Sequence, residues 1–233
     1  MTPTTLLLTR PRPSAQAFVD ALNVAALAKV DVVIAPLMEI VRYGDAPDIG
    51  PSQQVIFTSA NAVAFAPDGQ GRAAFCVGAQ TTRLAKQRGW TAQQMGDTAQ
   101  QLIAAIQAHP LTGDLIHLGG VHTRGDIAQT LTQAGINTTH TPIYDQILLP
   151  LDSQGQAALQ RPSIVPVFSP RSAVQLAAQT AGALHHAHII ALSEAVAAPL
   201  RGESCADLTV LPKPQAIYMV KEVEKQCLTL GLP

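Results

Sequence analysis

Short apolar, β-branched runs alternate with helix-patterned stretches from one end of this 233-residue chain to the other. That alternation restricts the fold more than any other feature, because strand, helix and strand in repeated order build a parallel sheet with helices on both faces. Leu6 to Thr9 reads as the first strand. Pro11 and Pro13 then break the chain, and Ser14 is placed to cap a helix carrying Phe18, Val19 and Leu22 on one face. Val32 to Ala35 reads as the second strand, ended by Pro36. A polar stretch with Gly44, Pro47, Gly50 and Pro51 precedes the next strand, Gln54 to Thr58, which runs into a helix opening near Ser59. Ala74 to Val77 and Leu115 to Leu118 are further strands. Helices are expected over 81–88, 99–108 and 123–134, the last stopped by Gly135. Val165 to Phe168 and His188 to Leu192 continue the pattern, and a final helix runs from Gln215 to Leu228.

The chain also repeats itself. Phe57-Thr58-Ser59-Ala60-Asn61-Ala62-Val63 lines up with Phe168-Ser169-Pro170-Arg171-Ser172-Ala173-Val174, each a strand end turning into a helix. In each half a second strand follows and ends in a short turn, Val77-Gly78-Ala79-Gln80-Thr81 in one and Leu192-Ser193-Glu194-Ala195-Val196 in the other. The length suits two domains of about 100 residues. Two similar parallel-sheet α/β domains facing each other are expected to gather their strand C-termini and helix N-termini around a shared cleft, where open parallel sheets bind ligands.

Composition excludes several classes of function. The formal net charge is −1 and no block of Lys or Arg occurs, so neither nucleic acid nor an anionic membrane is an expected partner. Aromatic residues make up only 4% of the chain, so the cores are expected to consist of Ala, Val, Leu and Ile. Cys76, Cys205 and Cys227 lack CxxC spacing and imply neither a zinc site nor a disulfide framework. The apolar run at Thr5 to Thr9 is far shorter than a signal segment or a membrane span, and a cytoplasmic location is expected. No GxGxxG, Walker A, HExxH or GxSxG stretch points to nucleotide, zinc or serine-nucleophile chemistry. His117 and His122, and the His185-His186-Ala187-His188 run, lack diagnostic ligand spacing, so no metal is expected. Asp126, Asp145 and Glu194 are not paired as acid and base and are expected on solvated faces.

The candidate site residues are those the pattern places at strand ends. Thr9-Arg10-Pro11 follows the first strand, where either an anion-binding or a plain helix-start role fits. The turns at Ser59-Ala60-Asn61 and at Ser169-Pro170-Arg171-Ser172 expose helix N–H groups beside hydroxyls, suited to a carboxylate, although each serine equally serves as a cap. Gly78 and Gly119-Gly120 let a ligand approach the backbone, or simply satisfy a turn. Tyr144, in Pro142-Ile143-Tyr144-Asp145-Gln146, is placed either to reach into a cleft or to wedge between domains.

The order Thr9-Arg10-Pro11, Phe57-Thr58-Ser59-Ala60-Asn61, Val77-Gly78 with Thr81, Ile143-Tyr144 and Phe168-Ser169-Pro170 resembles the uroporphyrinogen-III synthase family over nearly the whole chain. The resemblance implies two flavodoxin-like α/β domains joined by a two-stranded connector. One domain is formed by residues 1–36 with 149–233, the other by 40–141, and 37–39 and 142–148 are the connectors. It implies a lyase that takes the linear tetrapyrrole hydroxymethylbilane, removes its terminal hydroxyl as water and closes the macrocycle with ring D inverted, without metal or organic cofactor. Tyr144 is implied as the donor to the departing hydroxyl. Thr9, Arg10, Ser59, Ala60, Asn61, Gly78, Thr81, Ser169 and Ser172 are implied as substrate-binding, in a monomer.

Two positions depart from the family pattern: Val196 stands where the second Gly-x-x-Thr-like turn carries a hydroxyl, and Thr82 stands where alanine is usual. The first departure leaves room for a non-enzymatic two-lobed ligand-binding or regulatory relative. A phosphoryl-receiving or nucleotide-binding module is the third reading, and the acidic cluster and glycine fingerprint it needs are missing from the sequence.

Overall fold

In the central strands, side chains alternate between two apolar layers. Leu7 packs with Val165, Val167, Ile189 and Ala191 on one face of a sheet, while Leu6, Leu8, Ile164 and Ile190 pack on the other. A second sheet does the same, with Val55, Phe57, Ile116 and Leu118 on one side and Ile56, Phe75 and Leu115 on the other. A strand buried on both faces reads as an unbroken apolar run, which is why Leu6-Leu7-Leu8 and Val55-Ile56-Phe57 stand out in the sequence.

The computed structural model describes residues 3–50, 52–109, 113–123, 125–180 and 182–231. Pro51, in the polar stretch, and Arg124, within the helix expected over 123–134, lie outside the described residues. The strands are β1 (Thr4–Leu8), β2 (Val30–Ile34), β3 (Met38–Arg42), β4 (Gln54–Phe57), β5 (Ala73–Val77), β6 (Thr91–Gly96), β7 (Leu115–Gly120), β8 (Thr138–Leu148), β9 (Ser163–Val167), β10 (Ala187–Ala191) and β11 (Asp207–Val210). The helices are α1 (Arg12–Asp20), α2 (Val24–Leu27), α3 (Ala60–Phe65), α4 (Ala79–Gln87), α5 (Ala99–Ala108), α6 (Ile127–Gln133), α7 (Ser153–Leu159), α8 (Pro170–Thr180), α9 (Glu194–Ala197) and α10 (Ala216–Leu230).

Two of the differences from the sequence reading concern how a helix starts. Ser14 lies inside α1, whose N-cap is Pro11 with no side-chain cap, so neither Ser14 nor Thr9 caps it. The helix expected from Thr123 begins at Ile127, because the Asp126 carboxylate accepts from Gln129 N at 2.9 Å and fixes the first turn there.

The chain divides into two units, Met1–Glu39 with Ile147–Pro233, and Ile40–Gln146. The fold expected from the sequence, two similar parallel-sheet α/β domains, is borne out. The first unit holds a five-stranded sheet in the order β2-β1-β9-β10-β11, whose neighbouring strands pair in parallel. Numbered within that unit, the order is 2-1-3-4-5, the flavodoxin-like doubly wound arrangement. The second unit holds β3-β8-β7-β4-β5-β6. Setting aside the edge strand β3, the order β8-β7-β4-β5-β6 is the same pattern cyclically shifted, with β7 and β8 in the places of β1 and β2. The chain passes between units twice, within β3 and within β8.

This topology locates a switch point in each unit: between β1 and β9 in the first, and between β7 and β4 in the second. The crevice outside the strand C-termini at such a point is where doubly wound sheets bind ligands. In the first unit, proline helps to open it. Ser163 N donates to His186 O and Leu192 N donates to Val167 O, both at 3.0 Å, so residues 163 and 167 face β10. Strand alternation then turns Pro166, which has no N–H, toward β1. The β1–β9 register accordingly consists of Thr5↔Ser163 and Leu6↔Ile164, and the strands part before Thr9 and Phe168.

Candidate functional site

At the first unit's switch point, Thr9 is buried and Arg10 is half-buried. The Arg10 guanidinium lies 4.0 Å from the centre of the Phe168 ring, a cation–π contact that holds it at the sheet edge. Phe168 is itself fixed by an edge-on contact with Phe18 at 5.2 Å. Burial pushes the guanidinium's pKa down. No carboxylate pairs with it among the described residues. Opposite, Ser169 Oγ accepts from Ser172 N at 3.1 Å and lies 2.9 Å from Ser172 Oγ. The first turn of α8 thus carries two linked hydroxyls, and the capping role of Ser169 and its role as a polar edge group are the same arrangement.

In the second unit, Ser59 caps α3, its Oγ accepting from Asn61 N at 3.1 Å, with Ala60 as the first helical residue. Tyr144 reaches the same edge because β8 carries an irregularity. Gly119 pairs with Pro142 but Gly120 pairs with Tyr144, so Ile143 is the extra residue and Tyr144 is re-aimed over Gly120. A Cβ at Gly120 would stand 2.8 Å from the phenol ring, which explains a residue without a side chain at this position. The ring stacks on Phe65 at 6.2 Å and is 6% exposed. Burial pushes the phenol pKa above its ordinary value of 10.0, and a hydrogen bond with the Ser59 side chain offsets part of that rise. The phenol therefore stays protonated throughout the neutral range.

The other predicted residues lie one strand away. Gly78, at φ +78°, ends β5 and starts α4, a backbone conformation that side chains rarely adopt. Thr81 is buried in the first turn of α4, and Thr82 donates from Oγ1 to Gly78 O at 2.9 Å. In the first unit, the matching turn at Ser193 makes no side-chain cap, and Val196 is 2% exposed in the core, so this position serves packing. Glu194 is held by Arg201 through two hydrogen bonds of 2.8 and 2.7 Å. The structure thus gathers Thr9, Arg10, Ser169 and Ser172 at one switch point and Ser59, Ala60, Asn61 and Tyr144 at the other. Gly78 and Thr81 sit at the neighbouring strand end.

Sequence reasoning gave no site role to three residues. Thr58 at the end of β4 and His117 on β7 are joined through Thr58 Oγ1 and His117 Nε2 at 3.2 Å, and His140 lies beside them with its ring centre 5.1 Å from that of His117. The β4–β7 register, in which Ile56 faces His117, brings Thr58 near this histidine, but that register is not readable without the strand order.

Two α/β units of one strand pattern, with serine-bearing turns at both switch points and a protonated phenol at one of them, define a duplicated doubly wound α/β protein. The chain belongs to the uroporphyrinogen-III synthase family: the family model described as uroporphyrinogen-III synthase HemD matches residues 23–221. Among curated proteins none matches. Among solved structures, uroporphyrinogen-III synthetase from Helicobacter pylori is similar at 17% identity with a TM-score of 0.67, over 97% of this chain and 99% of that one. A mutant uroporphyrinogen III synthase from Thermus thermophilus aligns over 97% of this chain and 99% of its own, at 14% identity and a TM-score of 0.48. The resemblance carried by the short motifs is borne out.

Proposed function

We propose that the chain is a uroporphyrinogen-III synthase: a hydro-lyase that cyclises hydroxymethylbilane to uroporphyrinogen III, inverting ring D and releasing water. Family membership supports the reaction. The observation that carries the assignment of a donor is the Tyr144 phenol, kept protonated by burial at a switch point and given its place by Gly120. In the proposed step, the substrate's terminal C–O bond breaks while Tyr144 O–H donates to the departing oxygen, and the positive charge left behind spreads over the adjacent pyrrole. The substituted α-carbon of ring D attacks that carbon to give a spiro intermediate. Its older bond to the ring C methylene breaks and re-forms at the free α-carbon of ring D, which inverts the ring, and the proton lost from that carbon balances the departed hydroxide as water. The phenol favours departure by stabilising developing negative charge on oxygen.

The substrate's eight carboxylates are proposed to meet uncharged donors rather than a basic patch, which fits a chain of net charge −1. Ser59, Ala60, Asn61, Gly78 and Thr81 supply hydroxyls and backbone N–H groups on one sheet edge, and Thr9, Ser169 and Ser172 do so on the other. Arg10 adds the single charge-assisted contact. Residues 37–39 and 142–148 are proposed as the connector strands, and a monomer in the cytoplasm as the working form. No helix among the described residues is long and apolar enough to cross a membrane.

The test is a coupled assay in which hydroxymethylbilane is generated in place and the uroporphyrin isomers are separated after oxidation. An excess of isomer III is expected. Isomer I alone from folded protein would overturn the assignment.

A further inference from the structure

The proposed chemistry leaves unused the most deeply buried histidine of the second unit. His117 is 3% exposed on β7, and its Nε2 lies 3.2 Å from Thr58 Oγ1. His140, its cross-strand partner on β8, holds its ring alongside. A Cβ added to Gly119 would come within 2.8 Å of His140 Nε2 and 3.4 Å of His117 Nε2, so both imidazoles turn their Nε2 edges toward a residue without a side chain. Thr58 is half-buried just past the end of β4, one residue before the cap Ser59, and lies nearest the C-terminal edge of the sheet, two residues beyond the level of His117 and the exposed His140.

A threonine hydroxyl has one proton and two acceptor sites. When the ring N–H donates to Oγ1, the hydroxyl's own proton is left for another acceptor. When the ring accepts instead, that proton is consumed. The first arrangement suits an acceptor-only ligand such as a carboxylate. We propose that His117 is a positioning residue for carboxylate recognition at this edge: its Nε2–H donates to Thr58 Oγ1 and turns the Thr58 O–H outward to a carboxylate of the substrate. The inference rests on the functional reading above for the identity of that substrate. The charged groups acting on His117 are His140 from β8 and Asp126 from the N-cap of α6. Burial and His140 push its pKa down to about 4, while Asp126 opposes them. At neutral pH the ring is therefore uncharged and donates from one nitrogen only.

Nitrogen NMR of ¹⁵N-histidine-labelled wild-type protein reads the tautomer directly, and protonated Nε2 with bare Nδ1 is expected at His117. Uroporphyrin III serves as the binding probe. Thr58→Val and His117→Leu are each expected to weaken its binding about tenfold, as for one lost hydrogen bond to a carboxylate. The double variant should bind no worse than either single one, because both remove the same contact. His117→Gln, whose amide nitrogen replaces Nε2, is expected to bind within about twofold of wild type. Protonated Nδ1 in the wild type, additive losses in the double variant, or a glutamine variant as weak as the leucine one would overturn the inference. Should His117→Leu fail to fold, the tautomer and Thr58→Val still decide it. A wild type that binds the porphyrin without forming isomer III removes the proposed function and leaves this inference to its own test. A wild type that does not bind the porphyrin overturns this inference and leaves the function to the isomer assay.

Discussion

Tyr144 is useful as a donor only while it keeps its proton, and the same burial that secures the proton also makes the phenol a weaker acid. The contribution proposed for it is therefore a hydrogen bond to departing oxygen rather than full proton transfer. Tyr144→Phe is expected to lower kcat roughly tenfold, the equivalent of about 1.4 kcal/mol, with little change in KM. An unchanged kcat in the isomer assay would remove the donor role. His117 gives a second prediction at this scale, in stability rather than rate. Its pKa falls from 6.5 to about 4 on folding, so between those values the unfolded chain binds a proton that the folded one refuses. The contribution is fully present above about pH 6.5 and is lost as pH falls toward 4, the loss reaching roughly 2 kcal/mol at pH 5. Urea unfolding of the wild type and of His117→Gln at pH 7 and pH 5 isolates it, since the carboxylates titrate in both proteins. A wild type that loses no more stability than the variant would contradict the buried neutral ring. Among site residues, those in short motifs at strand ends, such as Ser59 and Ser169, were legible in the sequence. Thr58–His117 was not, because their contact depends on which strands are neighbours.

At the scale of elements, the irregularity in β8 matters most, since one extra residue at Ile143 turns Tyr144 over Gly120. Gly120→Ala places a methyl group into the phenol ring. It is expected to reduce kcat at least as much as Tyr144→Phe and to destabilise the second unit by about 1–3 kcal/mol through overpacking. Assay and thermal melting of Gly120→Ala, Tyr144→Phe and the double variant check both effects. Wild-type activity in Gly120→Ala would show that the ring position is immaterial. The same scale explains what the sequence pattern showed and concealed. Central strands such as β1 and β4 announce themselves by unbroken apolar runs. β6 (Thr-Ala-Gln-Gln-Met-Gly) and β11 (Asp-Leu-Thr-Val) are edge strands with exposed positions, and their polar composition hides them. Pro166 did not hide its strand, although proline is unusual in an interior one, and it sits at the point where that strand leaves its neighbour.

At the scale of the whole molecule, the second unit is continuous in sequence and has apolar layers on both faces of its sheet. A fragment of residues 38–148, which keeps all of β3 and all of β8, is therefore expected to fold alone, giving dispersed amide resonances and a cooperative melt. A fragment that remains unfolded would show that the unit depends on the rest of the chain. The cyclic shift in strand order carries a further consequence. Read along the chain with β3 set aside, the strands take the positions 1, 2, 3, 4, 5 and then 1, 2, 3, 4, 5 again. The polypeptide is thus a tandem copy of one five-strand plan in which the copies have traded their last three strands. Each switch point is bounded by one strand from either copy: β1 with β9, and β7 with β4. Neither copy owns a complete binding crevice, since each contributes one wall to the crevice of either unit.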